Sequence, residues 1–311
     1  MKDKRIVFMG TPIFAVPILE SLIENYNVVL VVSQPDREKD RKGNLLVTPT
    51  KEVAIKNNIP VYQPLKIREE YQTVLDYKPD IIITCAYGQI IPDVILDYPE
   101  YGCINVHGSL LPKLRGGAPI HHAIINGDKV TGMTIMYMAS KMDAGDIISS
   151  RSIEIGENDN LDYIYNKMSY LGRDLLMDTL PSIFNKTNTR TKQDESLVTF
   201  GLNIKKEEEK IDFNNSSFDI HNRIRGLSSI PGAYAMLDNK RVKIYESFIT
   251  DKVSNKEPGT IIDINKNGIY VTTNDKVIRI TDIKFEGKKR CKVHNFINGI
   301  KKEEYINKKF M

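Results

Sequence analysis

The segment "NVHGSLLP" places a carboxamide, Asn105, and an imidazole, His107, two positions apart where an apolar stretch gives way to a turn. If "CINVHG" is an extended strand, side chains at positions i and i+2 project from the same face, so both groups would leave the strand end together. An amide N–H can stabilise the oxyanion of a tetrahedral intermediate, and an imidazole can carry a proton. The same pair can also cap a turn, and the spacing alone does not separate the two interpretations.

Asp143, in "MDAGDI", is the third candidate. It follows the predicted strand "GMTIMYM" by a short connection, so it would lie near His107 if that strand neighbours "CINVHG". A carboxylate beside an imidazole orients the ring and favours its charged form. As an isolated motif, Asp-Ala-Gly-Asp is also ordinary turn sequence. Together the three side chains suit transfer of an acyl-type group to an amine, with no serine or cysteine nucleophile.

Other patterns in the chain carry weaker functional signals. Gly10, in "MGTPIFA", lacks the other glycines of a GxGxxG dinucleotide site. His121 and His122 are adjacent, which on a helix directs them about 100° apart, and no carboxylate stands at metal-ligand spacing. The 3 cysteines are far apart and show no CxxC spacing, so neither a disulfide framework nor a zinc site is predicted. No metal is therefore expected.

Alternating strands and helices would have to position the candidate groups. Strands are predicted at 4–9, 27–33, 80–86, 102–108 and 132–138. Helices are predicted near 11–26, 50–57, 66–76, 92–97 and 118–126, and a long amphipathic helix at 160–184. This order predicts an α/β fold with a doubly wound, mostly parallel, Rossmann-like sheet, whose ligands bind beyond the carboxyl ends of the strands.

The sequence predicts two domains joined by a linker. Residues 1–188 would form the catalytic domain. Residues 189–207 are polar and poor in periodic apolar positions, which is typical of a linker. Residues 208–311 combine one helix near 216–227 with short alternating strands separated by turn signals such as "DNK" and "NKNG". That pattern favours a small antiparallel β-barrel of OB-like type.

The charge distribution points to a polyanionic partner for the second domain. Residues 1–188 hold 20 Lys and Arg against 23 Asp and Glu, whereas residues 189–311 hold 24 against 17. Such asymmetry is the footprint that a nucleic acid would leave, although many basic domains bind none. The apolar runs fall short of the roughly 20 residues that a membrane span needs, and the opening "MKDKRIVFMG" has no secretory apolar region. A cytoplasmic protein without a membrane partner is expected.

Several of these motifs carry a resemblance that runs nearly end to end. They are "FMGTPIFAVPILESL", "VVSQPDR" with "VTPTKEVA", "YGQIIP", "NVHGSLLPKLRGGAPIHHAIINGD", "TGMTIMYM", "MDAGDI", "IRGLSSIPGAYA", "GKKR" and "FINGI". The sequence resembles the methionyl-tRNA formyltransferases of bacteria and organelles. "NVHGSLLP" with "MDAGDI" marks the wider group that transfers a formyl group from 10-formyltetrahydrofolate, whereas the "QPDR…TP" loop and the basic C-terminal domain point to tRNA as the acceptor.

The resemblance implies roles for individual residues. Asn105, His107 and Asp143 would be the catalytic residues. The folate co-substrate would be held by Tyr87, Gly88, Gln89, Ile90 and Ile91 and by Ser109, Leu110, Leu111 and Pro112. Initiator tRNA, the implied partner, would contact Arg37, Arg41, Lys42, Lys205, Lys206, Lys288, Lys289 and Arg290. The resemblance also implies a monomer that binds no DNA.

Two other functions remain open at this point. A folate-dependent formyltransferase could act on a small amine, such as an amino sugar nucleotide or glycinamide ribonucleotide, and would then not need residues 189–311 for its chemistry. A non-catalytic RNA-binding module on an α/β scaffold is the second alternative. In that case substitution of Asn105 or His107 by alanine would leave every function unaltered.

Overall fold

A computed structural model describes residues 3–37, 43 and 45–311. The chain forms two compact units. Unit 1 consists of Met1–Pro119, Thr131–Ile153 and Tyr165–Leu202, and unit 2 of Ile120–Val130, Glu154–Ile164 and Asn203–Met311. Among the described residues, no helix is long and apolar enough to cross a membrane.

A seven-stranded sheet organises the first half of the chain. Its strands are β1 (Arg5–Gly10), β2 (Asn27–Val32), β3 (Val61–Tyr62), β4 (Ile81–Cys85), β5 (Cys103–His107), β6 (Val130–Tyr137) and β7 (Ile147–Glu154). They lie in the order β3-β2-β1-β4-β5-β6-β7. The pairs from β3 to β5 are parallel, whereas β6 runs antiparallel to β5. The prediction of a mostly parallel sheet is confirmed.

The helices follow the predicted alternation with one clear difference. They are α1 (Val16–Asn25), α2 (Pro49–Lys56), α3 (Gln72–Asp76), α4 (Asp93–Leu96), α5 (Pro119–Ile125) and α6 (Leu161–Phe184). The helix predicted near 66–76 begins only at Gln72; the Glu70 carbonyl before it accepts from the Tyr62 hydroxyl (2.9 Å), and Val74 N donates to Tyr71 O. The strand β7 was not predicted, since "IISSRSIE" is polar and its residues are half-buried or exposed.

The central strands are buried on both faces, as their apolar runs predict. Ile6, Phe8, Ile81 and Ile83 are all 0% exposed. Full burial of such a side chain contributes about 1.5–3 kcal/mol each. These strands therefore provide a rigid base from which the loops at their carboxyl ends project.

Unit 2 is built around an antiparallel sheet. Its elements are α7 (Ser217–Gly226), β8 (Ala233–Leu237), β9 (Lys240–Ile249), β10 (Ile261–Asn265), β11 (Gly268–Thr272), β12 (Val277–Phe285), β13 (Cys291–Lys292) and α8 (Val293–Phe296). The strand order is β10-β11-β12-β9-β8, with β13 on β12. A segment of four residues, 308–311, bonds both outer strands: Lys308 O accepts from Ile261 N, and Met311 exchanges two hydrogen bonds with Met236.

Candidate active site

Asn105 and His107 lie on the carboxyl-terminal half of β5. Alternate strand residues face the same side of a sheet, so the amide and the imidazole share one face, as their spacing predicts. The parallel strand β4 pairs with β5 at Thr84 and Asn105, and the antiparallel strand β6 pairs with it at His107 and Thr134. Polar side chains from three neighbouring strands therefore meet at one place.

The Asn105 amide is held by a buried hydroxyl. Thr84 Oγ1 donates to Asn105 Oδ1 at 2.9 Å, and Thr84 is 3% exposed. In this arrangement the amide oxygen is the acceptor, and Ile104 O, at 3.3 Å, is a second acceptor near the same hydroxyl. Asn105 Nδ2 makes no hydrogen bond to another described residue, so its N–H groups are available to a ligand oxygen.

Substitution of Thr84 by valine is expected to lower turnover roughly tenfold. Valine keeps the volume but removes the hydroxyl that bonds Asn105, and a hydrogen bond of this kind is worth about 1 kcal/mol net. The free energy of unfolding should also fall by about 0.5–1.5 kcal/mol, because the half-buried Asn105 amide oxygen loses its partner. Steady-state kinetics and urea unfolding measure the two effects. Thr84→Ser, which retains the hydroxyl, is the control, and an equal loss in both variants would contradict the role.

The His107 ring is oriented by a main-chain oxygen. Nε2 lies 3.1 Å from Leu114 O, which can only accept, so Nε2 carries the proton. The opposite nitrogen, Nδ1, lies 3.7 Å from Asp143 Oδ2. His107 is 5% exposed. The second nitrogen therefore faces a carboxylate within a protected site.

Asp143 reaches this position from an unusual backbone conformation. Its φ is +49°, in the left-handed region that asparagine and aspartate tolerate better than most residues. The main-chain N–H of Gly116 donates to Asp143 Oδ2 at 2.8 Å. Gly116 has φ +123°, and a Cβ there would lie 2.8 Å from Gly201 O. Glycine is thus required where the loop delivers its N–H to the carboxylate.

Arg115 links this loop to the segment after α6. It is fully buried, and its guanidinium donates to Gln193 Oε1 from Nε (3.0 Å) and Nη2 (2.8 Å) and to Glu195 Oε1 (2.8 Å). Bonds from Arg115 and Lys141 lower the pKa of the Glu195 carboxyl to about 2. The carboxylate is consequently ionised at neutral pH and remains a partner for the buried cation.

The first segment predicted to hold folate follows β4. Tyr87 and Ile91 are buried in the apolar core of unit 1, and burial raises the pKa of Tyr87. Gly88 has φ +85°, and the Gln89 carboxamide accepts from Ile67 N at 2.8 Å. Ile90 is 70% exposed. Ile90 is therefore the exposed apolar side chain of this segment, while the contacts of Tyr87, Gln89 and Ile91 anchor the segment within unit 1.

The second such segment follows β5. Ser109 is buried, and its hydroxyl donates to Lys113 O at 2.6 Å. Leu111 is buried, and its N–H donates to Thr134 Oγ1 at 3.2 Å. Leu110 and Pro112 are half-buried. Because β4 and β5 are adjacent and parallel, both predicted segments begin at the same edge of the sheet.

The predicted acceptor loop is anchored at its base. Asp36 accepts hydrogen bonds from Thr48 N (3.2 Å) and Gln63 Nε2 (2.9 Å) and pairs with Lys51 Nζ (2.5 Å). Its pKa is lowered by bonds from Lys51, Gln63 and Thr48, against the opposing effect of burial. Arg37 is exposed. Arg41 and Lys42, which were predicted to contact tRNA, lie outside the described residues.

The predicted cations of unit 2 differ in their surroundings. Lys205, Lys206, Lys288 and Lys289 are exposed. Arg290 donates to both carboxylate oxygens of Asp282, which is 4% exposed, and this bond raises the pKa of Arg290. Its guanidinium also lies 4.0 Å from the Tyr245 ring centre. Arg290 therefore has an intramolecular partner, whereas the lysines beside it extend into solvent.

Burial shifts the pKa of two cysteines and of one histidine. Burial raises the thiol pKa of Cys85 and Cys103. Burial is also the main cause of the lowered pKa of His121. Within the part of the chain that the structure describes, no group of three or more His, Cys, Asp and Glu is arranged to hold a metal ion.

Sequence reasoning did not identify Thr84 or Gln193 as parts of the site. A signal for Thr84 exists, because it is the polar residue within the apolar strand "DIIITCA". No local signal marks Gln193, whose partners lie 48, 50 and 78 positions away along the chain.

Comparison with known proteins identifies related chains over nearly the full length. A family model described as formyl transferase matches residues 4–180, and one for the formyl transferase C-terminal domain matches residues 203–301. The methionyl-tRNA formyltransferase of Staphylococcus epidermidis (strain ATCC 12228) is 48% identical over 299 residues, which cover 95% of this chain and 96% of the relative. That of Bacillus subtilis (strain 168) is also 48% identical, with coverages of 95% and 94%.

Solved structures share the fold at lower identity. HypX from Aquifex aeolicus in complex with tetrahydrofolic acid has a TM-score of 0.68 at 16% identity, over 95% of this chain. The chain spans 47% of HypX. The N-formyltransferase from Helicobacter canadensis, in complex with folinic acid and dTDP-3-aminofucose, has a TM-score of 0.67 at 21% identity, over 89% of this chain and 98% of that protein. At these identities the likeness concerns the fold alone.

Proposed function

The chain belongs to the formyltransferase family, among the methionyl-tRNA formyltransferases, and we propose that it transfers a formyl group from 10-formyltetrahydrofolate to the amino group of methionyl initiator tRNA. The observation that carries this proposal is 48% identity over 95% of the chain to proteins of that name. The juxtaposition of Asn105, His107 and Asp143 supports it. Since the proposed acceptor is a component of translation, we expect the protein to act in the cytoplasm, and membership of the family implies a monomer.

The residues present fit a reduced folate that carries a formyl group. The donor set of the site is an amide N–H, an imidazole and a carboxylate, which suits a carbonyl carbon attacked by an amine. The folate supplies that formyl carbon when bound. Tyr87–Ile91 and Ser109–Pro112 are proposed to hold it, with the exposed Ile90 as an apolar contact.

Asn105 is proposed to stabilise the charge that develops on the formyl oxygen. Its Oδ1 already accepts from Thr84, so Nδ2 can donate to that oxygen without reorganisation. Preorganised donors of this kind stabilise a transition state more than a ground state, because the charge is larger in the former.

His107 and Asp143 are proposed to handle the proton of the methionyl ammonium. Nε2 of His107 is committed to Leu114 O, so proton exchange takes place at Nδ1, which faces Asp143 Oδ2. The 3.7 Å separation leaves both atoms able to reach a proton on an incoming amine or an intervening water. The ammonium would first lose one proton through the pair to solvent, which frees the nitrogen lone pair for attack. The further proton that the nitrogen must lose after attack would pass through the pair to the departing folate nitrogen, as its bond to the formyl carbon breaks.

The decisive experiment incubates the purified protein with 10-formyltetrahydrofolate and methionyl initiator tRNA, and measures formylmethionine after hydrolysis of the ester. Formation of the product supports the proposed function. A protein that binds the folate but formylates only a small amine, such as an amino sugar nucleotide, would overturn the tRNA assignment and retain the formyl chemistry.

Binding of tRNA is expected to weaken steeply with salt. Each phosphate contacted by Lys or Arg adds about 0.7–0.9 to the slope of log affinity against log salt. The double variant Lys288→Ala/Lys289→Ala, which removes two exposed cations, should reduce that slope by about 1.4–1.8. Filter-binding titrations at several salt concentrations measure it. The control is Lys56→Ala/Lys66→Ala, which also removes two positive charges, from exposed lysines of unit 1. Equal salt slopes for the two double variants would contradict a tRNA contact at 288 and 289.

We further propose that unit 2 is a closed barrel of OB-like type. The pairing of residues 308–311 with both outer strands, β8 and β10, supports closure. The boundaries 1–188 for the catalytic domain, 189–207 for the linker and 208–311 for the tRNA-binding domain remain proposals.

A further inference from the structure

The segment 191–201, which the sequence predicts to be linker, belongs to unit 1 and is bonded along its length to the rest of that unit. Thr191 exchanges two hydrogen bonds with Ile147, at 2.8 and 2.9 Å. Thr199 accepts from Arg115 N through its carbonyl oxygen and from Leu114 N through its hydroxyl, both at 2.9 Å. Gly201 N donates to Arg115 O, and Gly201 O accepts from Ala118 N, both at 2.8 Å. This segment therefore supports the loop whose Leu114 carbonyl orients His107.

Gln193 lies at the centre of this contact and uses its full hydrogen-bonding capacity. Its Nε2 donates to the carbonyl oxygens of Asp143 and Gly145, each at 2.8 Å. Its Oε1 accepts twice from the buried Arg115. A carboxamide has two N–H donors and two acceptor sites, so all four are occupied. One side chain thus ties the Asp143 turn to the loop that orients His107.

The Asp143 turn needs such support. A residue with an L side chain at φ +49° is in a sparsely populated region and remains there only where its surroundings determine the conformation. The turn is also tightly packed, since a Cβ on Gly145 would lie 1.9 Å from Tyr137 O. Loss of the two bonds from Gln193 would release the Asp143 peptide, and its carboxylate would no longer be held opposite His107.

We propose that Gln193 is a positioning residue for formyl transfer, which fixes the Asp143 carboxylate opposite His107 Nδ1. The inference rests on the proposed function, because it concerns the geometry of that same site. Gln193 acts through Asp143 and does not need to touch either substrate. A misplacement of about 1 Å at a reacting group can cost roughly 10²-fold in rate.

Gln193→Glu tests the proposal directly. Glutamate can still accept from Arg115, but its carboxylate cannot donate to the Asp143 and Gly145 carbonyls. We expect kcat with methionyl initiator tRNA to fall roughly 10- to 100-fold, with KM for both substrates within about twofold. In the neutral variant Gln193→Met, which adds no charge, the pH profile of kcat should also shift, since the separation of His107 and Asp143 changes. A merely structural role would lower kcat equally at every pH.

Gln193→Met is neutral and similar in length, and it should show the same fall in kcat with nearly unchanged KM. It is also the test variant if Gln193→Glu does not fold. Lys192→Ala, an exposed neighbour on the same segment, is the matched control and should behave as the wild type. If the wild-type protein is active and both Gln193 variants keep kcat within threefold, the positioning role of Gln193 is overturned, while the proposed function stands. An inactive wild-type protein would overturn the proposed function and the inference with it.

Discussion

Replacement of Asp143 by asparagine is expected to lower kcat for formyl transfer roughly 10²- to 10⁴-fold, the usual contribution of acid–base groups. The variant keeps an oxygen for the Gly116 N–H bond, so the loop should retain its geometry while the charge is lost. His107 Nδ1 would then face a neutral amide. Of the proposed pair, only the imidazole could still accept the proton of the ammonium. Single-turnover rates with saturating tRNA measure the chemical step.

The matched control is Asp178→Asn, which removes an exposed carboxylate on α6 that pairs with Arg151 at the surface. Exposed pairs of this kind contribute little to stability, so its rate should equal that of the wild type. Binding of tRNA to the Asp143 variant should also be unchanged. A single-turnover rate within tenfold of the wild type would show that Asp143 takes no part in proton transfer.

Substitution of Asn105 by alanine is expected to have the second large effect, a fall in kcat of roughly 10²- to 10³-fold. Removal of one oxyanion donor lowers kcat by this amount in other enzymes. Asn105→Asp sharpens the test. Its carboxylate preserves the bond from Thr84 but has no N–H, and it places a negative charge where the oxyanion forms. The aspartate variant should therefore be at least as impaired as alanine.

The control for these variants is Asn25→Ala, an exposed asparagine on α1 whose amide bonds only Ser21 O in its own helix. Equilibrium binding of a folate should be retained in all three proteins, which separates loss of chemistry from loss of the site. An Asn105→Asp variant more active than Asn105→Ala would contradict a donor role for the amide.

The sequence predicted those features that depend on local pattern. The apolar runs around Ile6 and Ile82 identified central strands, and the spacing of Asn105 and His107 placed both groups on one face. Strand β7 was not predicted, because a half-exposed strand with three serines lacks both the continuous apolar run and the strict alternation.

The contacts around the site depend on distant parts of the chain and could not be predicted. A polar stretch without apolar periodicity is predicted to be a linker. Gln193, which lies in this stretch, nevertheless donates to the carbonyl oxygen of Asp143, 50 residues earlier. The proximity of Asp143 to His107 required that β5 and β6 be neighbours, which the alternation of elements left undetermined. The bond from Thr84 to Asn105 likewise required the register between β4 and β5.

Residues 308–311 have a consequence for association between copies of unit 2. An outer strand presents unpaired N–H and C=O groups that can template pairing with another chain. Here Met236 of β8 and Ile261 of β10 are both occupied by this one short segment. Its release would unpair Met236 and Ile261 together, so this four-residue segment contributes to the protection of both edges against edge-to-edge aggregation.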